Sequence, residues 1–150
     1  MTRTLPPGPH ACSDLHVGDR IETGAATITG AMIDAFADLS GDRFELHMSK
    51  SAANKLGFPD RVAHGLLVLS VVDGLKNQAG PVLPALASLG WDWTFSAPVL
   101  IGDTIRATIE ITEKRATRRP DRAIPRLTFD VTNQRGETVQ KGSNLMMVRV

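Results

Sequence analysis

Residues 62–78 read VAHGLLVLSVVDGLKNQ, and this stretch decides the fold. Leu66, Leu67, Val68, Leu69, Val71, Val72 and Leu75 leave little polar face through its centre. The spacing predicts a helix, and a helix that is apolar nearly all round has to be enclosed by protein. A bilayer span needs about 20 apolar residues, so this run, broken by Ser70, is too short to be one. Something in the same chain must therefore wrap it. The sequence that follows supplies the wrapping. Runs at 86–95, 104–116, 124–133 and 138–150 are rich in β-branched residues and often alternate, as at Ile105, Ala107, Ile109 and Ile111. Gly102-Asp103, Pro120-Asp121 and Arg135-Gly136 separate them as turns.

The region before the helix is mixed. Val17-Gly18-Asp19 reads as a turn and 20–28 as a first strand. Thr29 is placed to cap a helix over 31–39, with Ile33, Phe36 and Ala37 on one face. Ser40-Gly41-Asp42 stops that helix. Ser49 caps a short helix over 50–56, which ends at Gly57 with Pro59 beyond. Residues 1–14, with Pro6, Pro7 and Pro9, read as an irregular lead-in to a single domain spanning 1–150. Helices gathered early and strands gathered late predict an α+β fold, an antiparallel sheet curled around one buried helix.

Composition narrows the function. The chain has 150 residues, 42% hydrophobic and 22% charged, which fits one folded domain rather than a disordered chain. Seventeen Lys and Arg against sixteen Asp and Glu leave a formal charge of +1, with no net pull toward nucleic acid or an anionic membrane. The single cysteine, Cys12, cannot form an internal disulfide. No apolar leader opens the sequence, so the expectation is a soluble cytoplasmic protein. The four histidines offer no closely spaced pair of ligands, so no metal is expected.

Asp42 and His47 lie between two predicted helices. A carboxylate and an imidazole can divide proton transfers near neutral pH. Taken alone, the pair is equally a turn residue and a solvated histidine. His64-Gly65 opens the buried helix, where the first amides lack internal partners and carry the positive end of the dipole. Glycine there either lets a ligand oxygen approach an amide, as an oxyanion site requires, or serves close packing. Both readings stay open on local grounds, and His64 reads first as a hydrogen-bonded structural residue. The basic run KRATRRPDRAIPR, residues 114–126, is a solvated hairpin turn or a phosphate clamp.

Ser40-Gly41-Asp42 through His47, then Ala52-Ala53, Phe58 and Val62-Ala63-His64-Gly65-Leu66-Leu67, resemble the MaoC-like, (R)-specific enoyl-CoA hydratase family. Gly90-Trp91, Pro98-Val99 and Gly102-Asp103-Thr104 extend the resemblance through the strand half. It implies a single hot-dog fold, in which an antiparallel sheet wraps a long central helix. It also implies a hydro-lyase acting across the C2–C3 bond of an enoyl or (R)-3-hydroxyacyl thioester. Asp42 and His47 take the catalytic positions, with Asp42 favoured as the base, and the Gly65 amide serves the thioester oxygen, with His64 and Phe44 grouped beside it as oxyanion or substrate-binding residues. CoA or an acyl-carrier protein is then the substrate's handle, no cofactor is called for, and a homodimer or higher homo-oligomer is expected.

Two departures bear on substrate. Many of these hydratases read D-x-N-P-x-H where this chain has Phe44-Glu45, so Phe44 is expected in the pocket wall. Asp73 stands on the helix where a small or hydroxyl residue is common. Facing the site it would raise the pKa of Asp42; facing elsewhere it means little. A hot-dog thioesterase and a non-catalytic acyl-thioester-binding subunit are the alternatives.

Overall fold

Alternation in the second half of the chain builds the sheet. In the computed structural model, which describes residues 2–150, four long strands run β6 (Ala85–Phe95), β7 (Thr104–Ala116), β8 (Arg122–Thr132) and β9 (Thr138–Arg149). Ile105, Ala107, Ile109 and Ile111 of β7 point inward with Leu127, Phe129 and Val131 of β8 and Val139, Met146 and Val148 of β9. Period two is what a sheet with one covered face demands. These residues form one core with Val68 and Val72 of α4 (Gly65–Gln78), the predicted central helix. Truncating one such buried isoleucine to alanine costs about 2–5 kcal/mol.

The strands before the helix are shorter than expected. The run 20–28 is divided into β3 (Asp19–Glu22) and β4 (Ala26–Thr27), each pairing antiparallel with β7. The lead-in is less irregular than its prolines imply. β1 (Arg3–Thr4) pairs parallel with β3, and β2 (Gly8–Pro9) pairs parallel with β5 (Pro81–Val82). Leu5, Cys12 and Leu15 are buried, so this segment seals one end of the core. The main sheet has the order β1-β3-β7-β8-β9-β6, with β4 beside β7.

α1 (Gly30–Ser40) begins as predicted: the Met32 amide donates to the Thr29 hydroxyl at 3.2 Å. It ends at Gly41, whose φ of +78° is a left-handed conformation that favours glycine. A one-turn helix, α2 (Glu45–Met48), follows where only loop was expected; α3 (Lys50–Lys55) is capped by Ser49. α4 starts at Gly65, as the His64-Gly65 opening predicts, and Val62 before it bridges Leu100 and stays extended. Its wrapping is incomplete: Leu66 is 60% exposed, and Leu69 and Val71 are half-buried. Among the described residues no helix is long and apolar enough to cross a membrane.

The buried Asp19 joins the lead-in to the sheet. Arg3 donates Nε to Oδ1 at 3.0 Å and Nη2 to Oδ2 at 2.7 Å, and the His16 amide donates to Oδ2 at 2.8 Å. The Arg3 hydrogen bond holds the Asp19 carboxyl below its ordinary range, against the opposing effect of burial. A carboxyl whose pKa falls on folding stabilises the protein above its unfolded-state value, and that stability is lost as pH drops through the folded-state value. Arg3→Ala is therefore expected to lower the melting temperature at pH 7. The gap from wild type should narrow when melts are repeated in acid below the carboxylate range.

Candidate active site

Four hydrogen bonds tie the segment 61–64 to the stretch 42–47. The Val62 amide donates to the Leu46 carbonyl at 3.2 Å, and Arg61 Nε donates to the His47 carbonyl at 2.6 Å. The Nδ1–H of His47 donates to the Val62 carbonyl at 2.6 Å, and the Nε2–H of His64 donates to the Asp42 carbonyl at 2.9 Å. On its far side the same segment is held to the sheet. The Ala63 amide donates to the Val99 carbonyl at 2.7 Å and the Ile101 amide to the Arg61 carbonyl at 2.9 Å. Arg61 also bonds Asp34 of α1 at 2.5 Å.

These bonds decide the chemistry of His47. A carbonyl can only accept, so the proton on the Val62 side sits on Nδ1. Nε2 is then the nitrogen left free of the backbone, and it lies 3.9 Å from Oδ2 of Asp42. That separation is too long for a hydrogen bond and suits two groups directed at one small molecule. Asp42 is held by its own turn, with Oδ1 accepting from the Phe44 amide at 3.2 Å and its amide donating to the Ser40 hydroxyl at 3.1 Å. Its side chain is half exposed, whereas that of His47 is only 12% exposed.

His64 is buried and stacks on His47, with ring centroids 3.9 Å apart and an interplanar angle of 27°. Phe36 packs against its other side at 4.9 Å. The expected structural role of His64 is thus visible, and it touches both Asp42 and His47. Donor atoms of Asp42, His47 and His64 lie within 4.8 Å of one another, a convergence that spacing along the chain does not reveal. Each imidazole spends one ring nitrogen on a backbone carbonyl, His47 on that of Val62 and His64 on that of Asp42.

Gly65 opens α4, and among the described residues no side chain caps it. The first amides of the helix therefore have no intrahelical acceptor. A cavity of about 350 Å³ lies here, lined by His47, Phe58, Val62, Gly65, Phe95 and Gln140 among others. A Cβ on Gly65 would fall 2.5 Å from the Phe95 ring, so glycine lets the ring lie against the helix start. Asp42 is not part of this lining and meets the cavity through His47. Phe44 packs edge-on to His47 at 6.1 Å but faces an outer groove with Met48, Ala52 and Leu56. The expected pocket-wall residue on this side is instead Phe58.

A family model described as "MaoC like domain" matches residues 14–129. The chain belongs to the MaoC-like family. The (R)-specific enoyl-CoA hydratase of Aeromonas caviae is 34% identical over 114 residues, covering 75% of this chain and 80% of that protein. Protein MaoC of Klebsiella aerogenes is 42% identical over 105 residues, 69% of this chain; those residues span only 30% of that longer protein. A solved Archaeoglobus structure described as a monoamine oxidase regulatory protein superposes with a TM-score of 0.87 at 32% identity, covering 99% of this chain and 97% of that one. A Mycobacterium tuberculosis protein described as having a double hotdog fold superposes at 0.81 with 20% identity, covering 92% of this chain and 43% of that one. The fold of this MaoC-like protein is the hot-dog.

Two site residues carried no sequence signal of their own. Arg61 looks like any surface arginine until its carbonyl and carboxylate partners converge. Gln140 is a polar residue on an inward position of a strand: it is buried, its Nε2 donates to the Gly65 carbonyl at 3.1 Å, and its Oε1 accepts from Trp93 Nε1 at 2.8 Å. Asp73 is settled by its partner. It forms an ion pair with Lys76 at 2.7 Å and lies eight residues along α4 from Gly65, about 12 Å at 1.5 Å per residue. Gln140→Leu strands the Trp93 N–H, and stability is expected to fall by about 1–3 kcal/mol, read by denaturant titration.

Proposed function

We propose that this MaoC-like protein is a hydro-lyase that adds water to, or removes it from, the C2–C3 bond of an enoyl/(R)-3-hydroxyacyl thioester. The observation that carries the reading is the 3.9 Å approach of His47 Nε2 to the Asp42 carboxylate, beside a cavity that also contains the start of α4. The β-carbon of an enoyl thioester is electrophilic because its carbonyl withdraws electrons. As water adds at C3, negative charge gathers on the thioester oxygen. An amide preorganised at a helix N-terminus stabilises that charge; one such donor is typically worth about 2.7–4 kcal/mol. Gly65 is the residue that supplies it.

In the hydration direction the Asp42–His47 pair accepts one proton from water, with Asp42 as the base, while the water oxygen bonds to C3, and the pair delivers one proton to C2 through His47 Nε2, so that it ends with the same number of protons with which it began. Dehydration runs the same path backwards. The carbonyl of Val62 keeps Nδ1 out of this exchange. The reading calls for no metal or cofactor, with CoA or a carrier protein serving as the thioester's handle.

The same proposal includes a homodimer. β6 is an edge strand of eleven residues with Leu86 44%, Leu89 46% and Phe95 55% exposed, and Asp92 is its one charged residue. A long, weakly charged edge is a template for strand pairing. The opposite edge, β1, has two residues. A second copy on β6 would also cover the part of α4 that the chain leaves open near Leu66.

Asp42→Asn and His47→Ala are each expected to lower hydration of a short enoyl-CoA by about 10²–10⁴-fold, with melting temperature little changed. Loss of enoyl absorbance is the assay, with a parallel thiol assay. Thiol release without hydration would make the protein a thioesterase, and tight binding without turnover would make it a binding subunit. Gly65→Ala should fold, since the exposed Phe95 ring can swing aside, yet lose activity as that ring crowds the amide.

A further inference from the structure

His47 rides on α2, which is only four residues long. Within it the His47 amide donates to the Phe44 carbonyl at 2.9 Å, and the Ser49 amide donates to the Glu45 carbonyl at 3.0 Å. A single turn carries the cost of helix nucleation without the elongation that offsets it. Its geometry therefore has to be imposed from outside. Val62 supplies two of the outside bonds, its amide to the Leu46 carbonyl and its carbonyl to His47 Nδ1. The third comes from a side chain. Arg61 Nε donates to the His47 carbonyl at 2.6 Å, and among the described residues no other side chain from outside α2 bonds its main chain.

Arg61 is itself anchored through main chain and side chain. Its amide donates to Asp60 Oδ1 at 2.7 Å, and its carbonyl accepts from the Ile101 amide at 2.9 Å. Nη2 donates to Asp34 Oδ1 at 2.5 Å. A Cβ on Gly30, the first residue of α1, would lie 3.5 Å from Nη1 and 3.1 Å from Ile101 Cδ1, so the guanidinium packs against the start of that helix. The positive end of the α1 dipole disfavours a bare cation there, and the Asp34 carboxylate one turn along offsets it. The guanidinium is mostly buried and needs such partners. Its Nε side meets the His47 carbonyl, one of the last of α2, which has no donor within its own helix.

Arg61 is not among the residues that line the cavity, whereas His47 and Val62 are. Its influence on chemistry thus runs through the placement of His47 rather than through contact with a ligand. A shift of about 1 Å at a reacting group costs roughly 10²-fold in rate.

We propose that Arg61 is a positioning residue, which clamps the His47 carbonyl to Asp34 of α1 and so holds His47 Nε2 at its distance from the Asp42 carboxylate. Arginine suits this role because one planar fork serves both acceptors, whereas a lysine ammonium is a point donor. The effect on rate rests on the hydratase reading; the effect on His47 does not.

The substrate-free protein tests the clamp without turnover. In nitrogen-edited NMR the His47 Nδ1–H, identified by its loss in His47→Ala, should exchange with water about tenfold faster in Arg61→Ala, the scale of one hydrogen bond to a charged group. Core amides of β7 and β8 should keep their protection. Hydration of a short enoyl-CoA should lose about 10²-fold in kcat, with KM little changed. Arg61→Lys should lose less, and it serves if the alanine variant does not fold. Asp34→Ala should act in the same direction and add little to Arg61→Ala, because both changes break one linkage. Unchanged Nδ1–H exchange in Arg61→Ala, a loss expressed in KM alone, or additive losses for Asp34 and Arg61 would overturn the proposal. Faster exchange spread over the core amides would overturn it in favour of a general stabilising role. Faster Nδ1–H exchange in a chain that hydrates no enoyl thioester would leave the clamp standing and remove the hydratase reading alone.

Discussion

The hydrogen bond from His47 Nδ1 to the Val62 carbonyl sets the terms for the rest of the site. It fixes the tautomer, turns Nε2 toward Asp42, and places the imidazole at the cavity wall. It works only because Val62 cannot move. Val62, Ala63 and His64 are buried, and bonds to Val99 and from Ile101 stitch the segment to the sheet. His64 completes the arrangement by holding the Asp42 carbonyl and lying flat on the His47 ring. The stretch 42–47 is short and partly exposed, yet it takes its geometry from a buried segment bonded to the sheet. That is how a functional loop keeps ångström-scale precision.

The sheet imposes a second constraint. It covers α4 on one side and leaves Leu66, Leu86, Leu89 and Phe95 exposed together with a long strand edge. The Mycobacterium tuberculosis relative carries about twice the length matched here and is described as a double hot-dog, so two such units occur there in one chain. In the proposed homodimer, assembly and substrate binding would concern the same edge, since Phe95 lines the cavity.

Much of the architecture could be read from local pattern. The central helix, the Thr29 and Ser49 caps and the long strands follow from periodicity and hydroxyl placement, which act within a few residues. Asp42, His47 and Gly65 drew attention through their combined motif, and the fold sets His47 beside both the Asp42 carboxylate and the cavity at Gly65. What escaped was long-range. The pairing of Arg3–Thr4 with Asp19–Arg20, the division of 20–28, and the single turn Glu45–Met48 depend on neighbours distant in sequence. Phe44 shows the same limit: its place in the motif put it at the pocket, while packing put Phe58 there. Arg61 and Gln140 belong to the site by contacts that no spacing encodes.

By itself, the order of residues determined an apolar helix that must be covered, strands able to cover it, and an acid and an imidazole five positions apart before an open helix start. Side-chain period and helix capping are local, so the chain carries them wherever it folds. The tertiary structure alone decided which nitrogen of His47 faces Asp42, that Asp73 answers to Lys76, and that the basic hairpin sits a full strand length from the cavity of its own chain. Those outcomes are set by register and by which carbonyls meet which donors, and they exist only once distant segments are packed together.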